Sequence, residues 1–126
     1  MEKLGERELD IMQALWRLGK ATVSEVQEVL RGQGNDIAYT TIQTMLNRLE
    51  VKKLVARNDS ERTHSYYAIL KEPVAAESAI KRLTDRFFRG STEELVTLLV
   101  NKDLTAEQLE RIQTLIDAHR KEAKKK

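Results

Sequence analysis

Cysteine is absent from this chain of 126 residues, and aromatic residues make up only 5% of it. The absence of cysteine excludes disulfide bonds, thiolate metal sites and catalysis by a cysteine nucleophile. With so few aromatic rings, the core must be mostly aliphatic. The two histidines, His64 and His119, lack the close spacing of metal ligands. We therefore expect neither a bound metal nor another cofactor.

Long apolar stretches are missing as well, because none approaches the ~20 consecutive apolar residues that a membrane span needs. The first residues, MEKLGERELDIM, are charged from the start and do not have the pattern of a signal peptide. These features predict a cytoplasmic protein without direct membrane insertion. The serines stand outside any nucleophile motif, and phosphate-binding motifs are also missing, so we predict that the protein is not an enzyme.

Positive charge is scarce overall, because the formal net charge is only +2. The distribution of charge is more informative, since residues 38–64 carry more basic than acidic side chains. The basic residues of this segment are Arg48, Lys52, Lys53, Arg57 and Arg62, and the acidic ones are Glu50, Asp59 and Glu61. This small excess of positive charge favours contact between residues 38–64 and the phosphates of a nucleic acid.

Apolar residues at helical spacing predict three helices in the first half of the chain. They cover about residues 6–18, 23–31 and 37–53. Thr22 and Glu25 have the spacing of a capping box at the start of the second helix. The third helix carries an apolar line on one side and an unusual polar face on the other.

A β-hairpin is predicted directly after the third helix. Leu54–Arg57 and His64–Leu70 have the composition of short strands, and the polar residues 58–63 between them are rich in turn formers. Three helices followed by a hairpin is the order of a winged helix-turn-helix. We assign this domain to residues 1–72, so the predicted fold class is mainly α with a small β-hairpin.

The remainder of the chain, residues 73–126, is predicted to be a helical dimerisation domain. Pro73 suits the first turn of a helix, Ser91 or Thr92 suits the cap of a second, and Thr105 suits the cap of a third. Large apolar side chains exceed what these helices can bury alone, which favours a homodimer over the alternative that they pack back onto the winged helix. The candidate dimerisation residues are Phe87, Phe88, Leu95, Leu98, Leu99, Leu109, Ile112, Leu115 and Ile116.

The polar face of the third helix is the main functional signal. Hydroxyls, amides and one arginine are the groups that a recognition helix offers to base edges and phosphates, whereas an ordinary exposed face more often carries Glu and Lys. The predicted DNA-binding residues of this helix are Tyr39, Thr40, Thr41, Gln43, Thr44, Asn47 and Arg48. Gln43 is the preferred reader of a base edge, because an amide can pair with adenine through two hydrogen bonds.

Two readings of this polar face and of the hairpin remain open. Arg57, Arg62 and His64 border the hairpin, either as a wing that contacts DNA or as a solvated turn. The rival function to a DNA-binding repressor is a winged-helix module for protein interactions. That module should expose apolar groups on the third helix, where this sequence has Thr, Gln and Arg.

Four segments resemble the penicillinase repressor (BlaI/MecI) family, and together they span nearly the whole chain. They are LGERELDIMQALW, AYTTIQTMLNRL, HSYYAIL and the C-terminal pattern from FFRGS to NKDLTAEQL. The resemblance implies a homodimeric repressor that binds palindromic operators through its winged helix, often controlling β-lactamase or resistance genes. It also implies release by a membrane sensor metalloprotease that triggers cleavage in the dimerisation region. By position it assigns DNA contacts to Thr40, Thr41, Gln43, Thr44 and Arg48, with Arg62 and His64 in the wing.

Three departures from the family pattern carry expectations of their own. Leu98-Leu99 stands where cleaved members have Asn-Phe, so we expect no cleavage at that bond. Lys53 stands where a glycine usually follows the recognition helix, so we expect a differently shaped helix end. The absence of C-terminal cysteines excludes copper sensing of the CopY type.

Overall fold

The computed structural model describes residues 3–60 and 62–125 of the chain. The chain divides into two compact units, residues 1–80 and 81–126. The division lies inside the helix Glu72–Phe87, which starts next to the domain boundary that the sequence predicts, between residues 72 and 73. The elements in chain order are α1 Glu6–Leu18, β1 Lys20–Thr22, α2 Val23–Gly32, α3 Tyr39–Val51, β2 Val55–Asn58, β3 Ser65–Ala68, α4 Glu72–Phe87, α5 Thr92–Val100 and α6 Ala106–Lys125. Over the described ranges, no helix has the length and hydropathy that a membrane span requires.

Local capping signals set the start of α2 as the sequence predicts. The Thr22 hydroxyl accepts a hydrogen bond from the Glu25 backbone N–H at 3.2 Å, and the Glu25 carboxylate accepts one from the Thr22 N–H at 2.9 Å. Two N–H groups that the helix itself cannot satisfy therefore have partners. The same reciprocal pair joins Thr105 and Gln108 at the start of α6.

The sheet has a third strand that the sequence did not predict. Its order is β1-β3-β2, and both pairings are antiparallel. β1 is only three residues long and leads straight into the Thr22 cap, so it is too short for an alternating pattern to be recognised. β3 is the central strand, with Tyr66 1% exposed and Tyr67 43% exposed. Neighbouring side chains of a strand point to opposite faces of the sheet, so one tyrosine packs into the core and the next faces solvent.

The core of the first unit is aliphatic, as the composition predicts. Its fully buried side chains come from all three N-terminal helices and two strands: Ile11, Met12, Leu15, Val26, Leu30, Ile42, Leu46, Leu49, Val55 and Tyr66. Trp16 packs against this core, and its indole N–H donates to the Leu70 carbonyl at 2.8 Å. Three helices and a three-stranded sheet around one core form the predicted winged helix-turn-helix.

The end of α3 has the shape that a glycine usually provides, although Lys53 occupies the position. Lys53 has a φ of 64°, and the N–H groups of Lys53 and Leu54 donate to the carbonyls of Glu50 and Leu49 at 2.9 and 3.0 Å. This is the hydrogen-bond pattern of a Schellman cap. The expectation of a differently shaped helix end is therefore wrong, because the backbone bonds hold a lysine in the left-handed region.

Replacing Lys53 by glycine is expected to stabilise the winged helix by about 0.5–1 kcal/mol. A side chain in the left-handed conformation costs roughly 1–2 kcal/mol, part of which glycine loses again through its greater freedom in the unfolded chain. Urea unfolding measures the difference. Lys53→Ala is the matched control, since it removes the charge and keeps the strain. A gain for alanine equal to that for glycine would contradict the backbone explanation.

Residues 81–126 form the second unit, in which few side chains are buried. Ser91 caps α5 by accepting a hydrogen bond from the Glu94 N–H at 3.1 Å, and Arg89 pairs with the Glu94 carboxylate at 2.9 Å. Leu95 is 9% exposed. Along α6, from Ala106 to Lys125, no residue is buried, so the apolar side chains of this helix lie open in the single chain.

Candidate nucleic-acid interface

The polar face of α3 points away from the core of the first unit. Ile42, Leu46 and Leu49 are fully buried and turn one side of the helix inward. With 3.6 residues per turn, the centre of the opposite side falls on the exposed residues Thr40, Thr44, Asn47 and Arg48. These predicted DNA contacts are thus brought together on one surface, which we call the α3 face.

One flank of the α3 face is a shallow depression. Thr40, Thr41, Thr44, Met45 and Arg48 line it, so methyl groups, hydroxyls and a guanidinium alternate along about two turns of helix. The Thr44 hydroxyl donates to the Thr40 carbonyl at 2.9 Å. That bond directs its proton back onto the helix, and the Thr44 side chain therefore offers its methyl group and oxygen lone pairs outward.

Gln43 lies at the other flank, half-buried between α3 and the sheet. Its amide nitrogen donates to the Tyr66 hydroxyl at 2.8 Å and to the Asn47 side-chain oxygen at 3.0 Å. Bidentate pairing with adenine needs one amide N–H and the amide oxygen together. Both N–H groups of Gln43 have partners inside the protein, so pairing with an adenine would require Gln43 to give up one of these hydrogen bonds.

Tyr39 opens α3 and is exposed at the edge of this surface. α3 begins after Ala38, which has an extended backbone and makes no side-chain cap. The first N–H groups of the helix therefore have no capping side chain, and helix N-termini of this kind bind phosphates readily. Tyr39 and the first turn of α3 are in this way suited to contact with a nucleic-acid backbone.

The hairpin of β2 and β3 carries a small charge network rather than a run of free cations. The Asp59 carboxylate is 2.6 Å from the His64 ring and 3.1 Å from the Arg57 guanidinium, which also lies 3.9 Å from Glu50. Arg62 is exposed in the same turn, and Glu61 lies outside the described residues. Arg57 and His64 thus converge on one carboxylate, which reduces the positive charge that the wing presents.

An ion pair links the start of α1 to the end of α3, and the sequence did not reveal it. The Lys52 ammonium lies 3.0 Å from the Glu8 carboxylate, which also accepts a hydrogen bond from the Gly5 N–H at 2.9 Å. Burial raises the pKa of Glu8. The Gly5 hydrogen bond, Lys52 and the charge of Arg48 lower it by a larger amount, so the net pKa lies below its ordinary value of 4.5. Glu8 therefore helps to hold the end of α3.

Replacing Glu8 by glutamine should weaken the pH dependence of stability in acid. A carboxyl group whose pKa is lower in the folded state stabilises the protein above its unfolded pKa, and this contribution is lost as the pH falls through the folded pKa. The parent should therefore lose its advantage over Glu8→Gln as the pH drops below 4.5. Urea unfolding at a series of pH values measures the gap. Glu6→Gln, on the same turn and exposed, is the control, and an equal change in that variant would contradict a role for the Lys52 pair.

The candidate dimerisation residues of the second unit are mostly exposed. Leu95 is covered by its own chain and Phe88 is half-buried, while the others lie open: Phe87, Leu98, Leu99, Leu109, Ile112, Leu115 and Ile116. On α6 the spacing of Leu109, Ile112 and Ile116 keeps them on one side of the helix. A nearly apolar groove runs beside Leu115 and Ile116, and His119, Arg120 and Ala123 complete its lining.

Comparison with known proteins identifies the family. The family model described as "Penicillinase repressor" matches residues 4–118. The "Transcriptional regulator BlaI" of Mycobacterium tuberculosis is 40% identical over 67 residues, 52% of this chain and 48% of that protein. The "Penicillinase repressor" of Staphylococcus aureus is 26% identical over 112 residues, 87% of each chain. This chain therefore spans about half the length of the mycobacterial relative and most of the staphylococcal one.

Solved structures support the fold alone, because their sequences are distant. A RosR complex has a TM-score of 0.56 at 15% identity, with 97% of this chain and 94% of that chain covered. A MarR mutant from E. coli has a TM-score of 0.50 at 18% identity, with 92% and 77% covered. A family match that covers most of the chain, a winged helix and a polar α3 face agree, and the chain belongs to the penicillinase repressor family of transcriptional regulators.

Proposed function

We propose that this protein represses transcription as a homodimer that binds a palindromic operator, with one α3 in the major groove of each half-site. The α3 face carries the proposal, because a rigid aliphatic line holds hydroxyl, amide and guanidinium groups outward together. Such groups suit base edges and phosphates. The names of the mycobacterial and staphylococcal relatives, a transcriptional regulator and a penicillinase repressor, agree with this function.

Dimerisation compensates for the weak charge of the chain. A net charge of +2 and a wing in which Asp59 pairs with the Arg57 guanidinium give one copy few free phosphate contacts. Two copies double those contacts and require two half-sites about one helical turn apart, ~34 Å. The exposed apolar side chains of α5 and α6 supply a surface that a second copy of the chain would cover.

The regulated genes that we propose are resistance or β-lactamase-type genes, and the partner that relieves repression is a membrane sensor metalloprotease system. Both proposals rest on membership of the family alone. Leu98 and Leu99 lie on α5 and are exposed in the single chain. We nevertheless expect no scission between them, because the Asn-Phe bond that the protease route uses is replaced. Mass spectrometry after incubation with an activated sensor system tests this, and a fragment ending at Leu98 would contradict it.

Selection from a randomised duplex library tests the repressor function. The expected product is an inverted repeat whose half-sites are centred about one helical turn apart. Absence of any enriched sequence would refute sequence-specific binding, and an enriched single site without symmetry would refute the dimeric arrangement. The rival function, a winged-helix module for protein interactions, predicts that no sequence is enriched. Such a module should expose apolar groups on α3, whereas the α3 face is polar.

A further inference from the structure

A chain of three side chains runs from the core of the sheet to the α3 face. It starts at the Tyr66 hydroxyl, whose ring is buried on β3 with 1% of the residue exposed. This hydroxyl accepts a hydrogen bond from the Gln43 amide at 2.8 Å, and the second N–H of that amide donates to the Asn47 side-chain oxygen at 3.0 Å. We call these three residues the Tyr66 relay.

The Tyr66 relay fixes which way the Asn47 amide faces. Tyr66 cannot move without disturbing the core, so its hydroxyl is a fixed acceptor for Gln43. Gln43 in turn holds the Asn47 oxygen through one of that atom's two lone pairs. The Asn47 nitrogen is then directed away from Gln43, and the oxygen keeps its second lone pair. A side chain held in one conformation binds with a smaller entropic cost than a free one.

Asn47 is also the member of the relay that is exposed at the centre of the α3 face. Thr44, its neighbour there, has its hydroxyl proton directed to the Thr40 carbonyl. Arg48 is long enough to extend past the base edges to the backbone. Asn47 therefore combines a free donor, a free acceptor and a fixed orientation among the exposed side chains of the α3 face.

We infer that Asn47 reads an adenine in each half-site, and that Tyr66 and Gln43 are positioning residues that set its orientation. Adenine presents the N7 acceptor and the N6 donor in the major groove, which match the Asn47 nitrogen and oxygen. Guanine presents acceptors at both places, so the fixed oxygen would face the O6 of that base. This inference rests on the proposed repressor function and specifies which side chain carries its base preference.

The test compares base preferences of the purified full-length protein and four variants. Duplexes enriched by the parent from the randomised library are resynthesised with every single base change, and competition binding gives the preference at each position. Asn47→Ala should lose about 5- to 150-fold of discrimination at one adenine per half-site. Tyr66→Phe should lose about 2- to 10-fold at that same position and leave binding to scrambled duplexes and the salt dependence unchanged.

Tyr67→Phe is the matched control, because it makes the same chemical change one residue along β3 on the exposed side of the sheet. It should keep the preferences of the parent. Gln43→Met interrupts the Tyr66 relay without changing the core, because it keeps the side-chain length and removes both N–H donors. It replaces Tyr66→Phe as the test if that variant fails to fold. The same adenine should lose discrimination in Gln43→Met.

The outcomes separate the inference from the function beneath it. A shared loss at one adenine in Asn47→Ala and in the relay variants supports the inference. Unchanged base preferences in Asn47→Ala overturn the inference, and so do unchanged preferences in both Gln43→Met and a folded Tyr66→Phe. The proposed repressor function would still hold in either case, provided that the parent enriches an operator. A parent that enriches no sequence removes both.

Discussion

Replacing Leu115 and Ile116 together by glutamate is expected to convert the proposed dimer into monomers. These side chains are 59% and 42% exposed in the single chain and line the apolar groove of α6. Carboxylates buried in an apolar interface lose their hydration without gaining a partner. Binding through two linked half-sites is tighter than binding through one by on the order of 100-fold or more. The affinity for the operator should therefore fall by that factor. Sedimentation equilibrium and operator titration measure the two effects.

The control for this variant places two glutamates elsewhere on α6. Thr114 and Ala118 lie on the opposite side of the helix from Leu109, Ile112 and Ile116 by helical spacing, and both are exposed. Thr114→Glu with Ala118→Glu should remain dimeric and bind as the parent does. A dimer that survives the Leu115 and Ile116 changes would place the interface elsewhere and remove the α6 groove from the account.

Replacing Arg48 by alanine is expected to weaken binding to every DNA sequence by a similar factor. Arg48 is exposed on the α3 face, a turn beyond Thr44, where its guanidinium can contact phosphates rather than base edges. Each lost phosphate contact lowers the slope of log affinity against log salt by about 1. A dimer loses one contact in each half-site, so the slope should fall by about 2. Titrations at several salt concentrations against enriched and scrambled duplexes measure it.

Arg17→Ala is the matched control for Arg48, because it removes the same charge from an exposed position in the last turn of α1. It should change the salt slope little. If the two variants behave alike, net charge and not the α3 face determines affinity. If Arg48→Ala changes base preference at one position and leaves scrambled DNA unaffected, Arg48 contacts a base edge and our assignment of its role is wrong.

Local signals explain why so much of the fold could be predicted from the sequence. The capping pairs Thr22–Glu25 and Thr105–Gln108 are three residues apart, so spacing alone reveals them. The buried line of Ile42, Leu46 and Leu49 follows the helical period and sets which face of α3 is exposed. The set of residues on the α3 face therefore follows from pattern, whereas β1 was missed because a three-residue strand has no pattern to show.

The roles of individual side chains could not be predicted, because their partners are distant in sequence. Gln43 has the chemistry of a base reader, and only the fold places the Tyr66 hydroxyl against its amide. Glu8 has the position of an acid that favours a helix N-terminus, and only the fold brings Lys52 to it. Lys53 departs from a glycine pattern, but the strength of the surrounding backbone hydrogen bonds decides its conformation.

The most direct test of the central claim uses the absence of cysteine from the chain. Thr44→Cys creates one thiol at the centre of the α3 face, and attachment of a DNA-cleaving iron chelate there reports where that face lies on the enriched operator. Gln13→Cys, exposed on α1, is the matched control. We predict cleavage from position 44 at two symmetric places about one helical turn apart, on the major-groove side. Cleavage no stronger or more localised than that from position 13 would contradict the claim that α3 reads DNA.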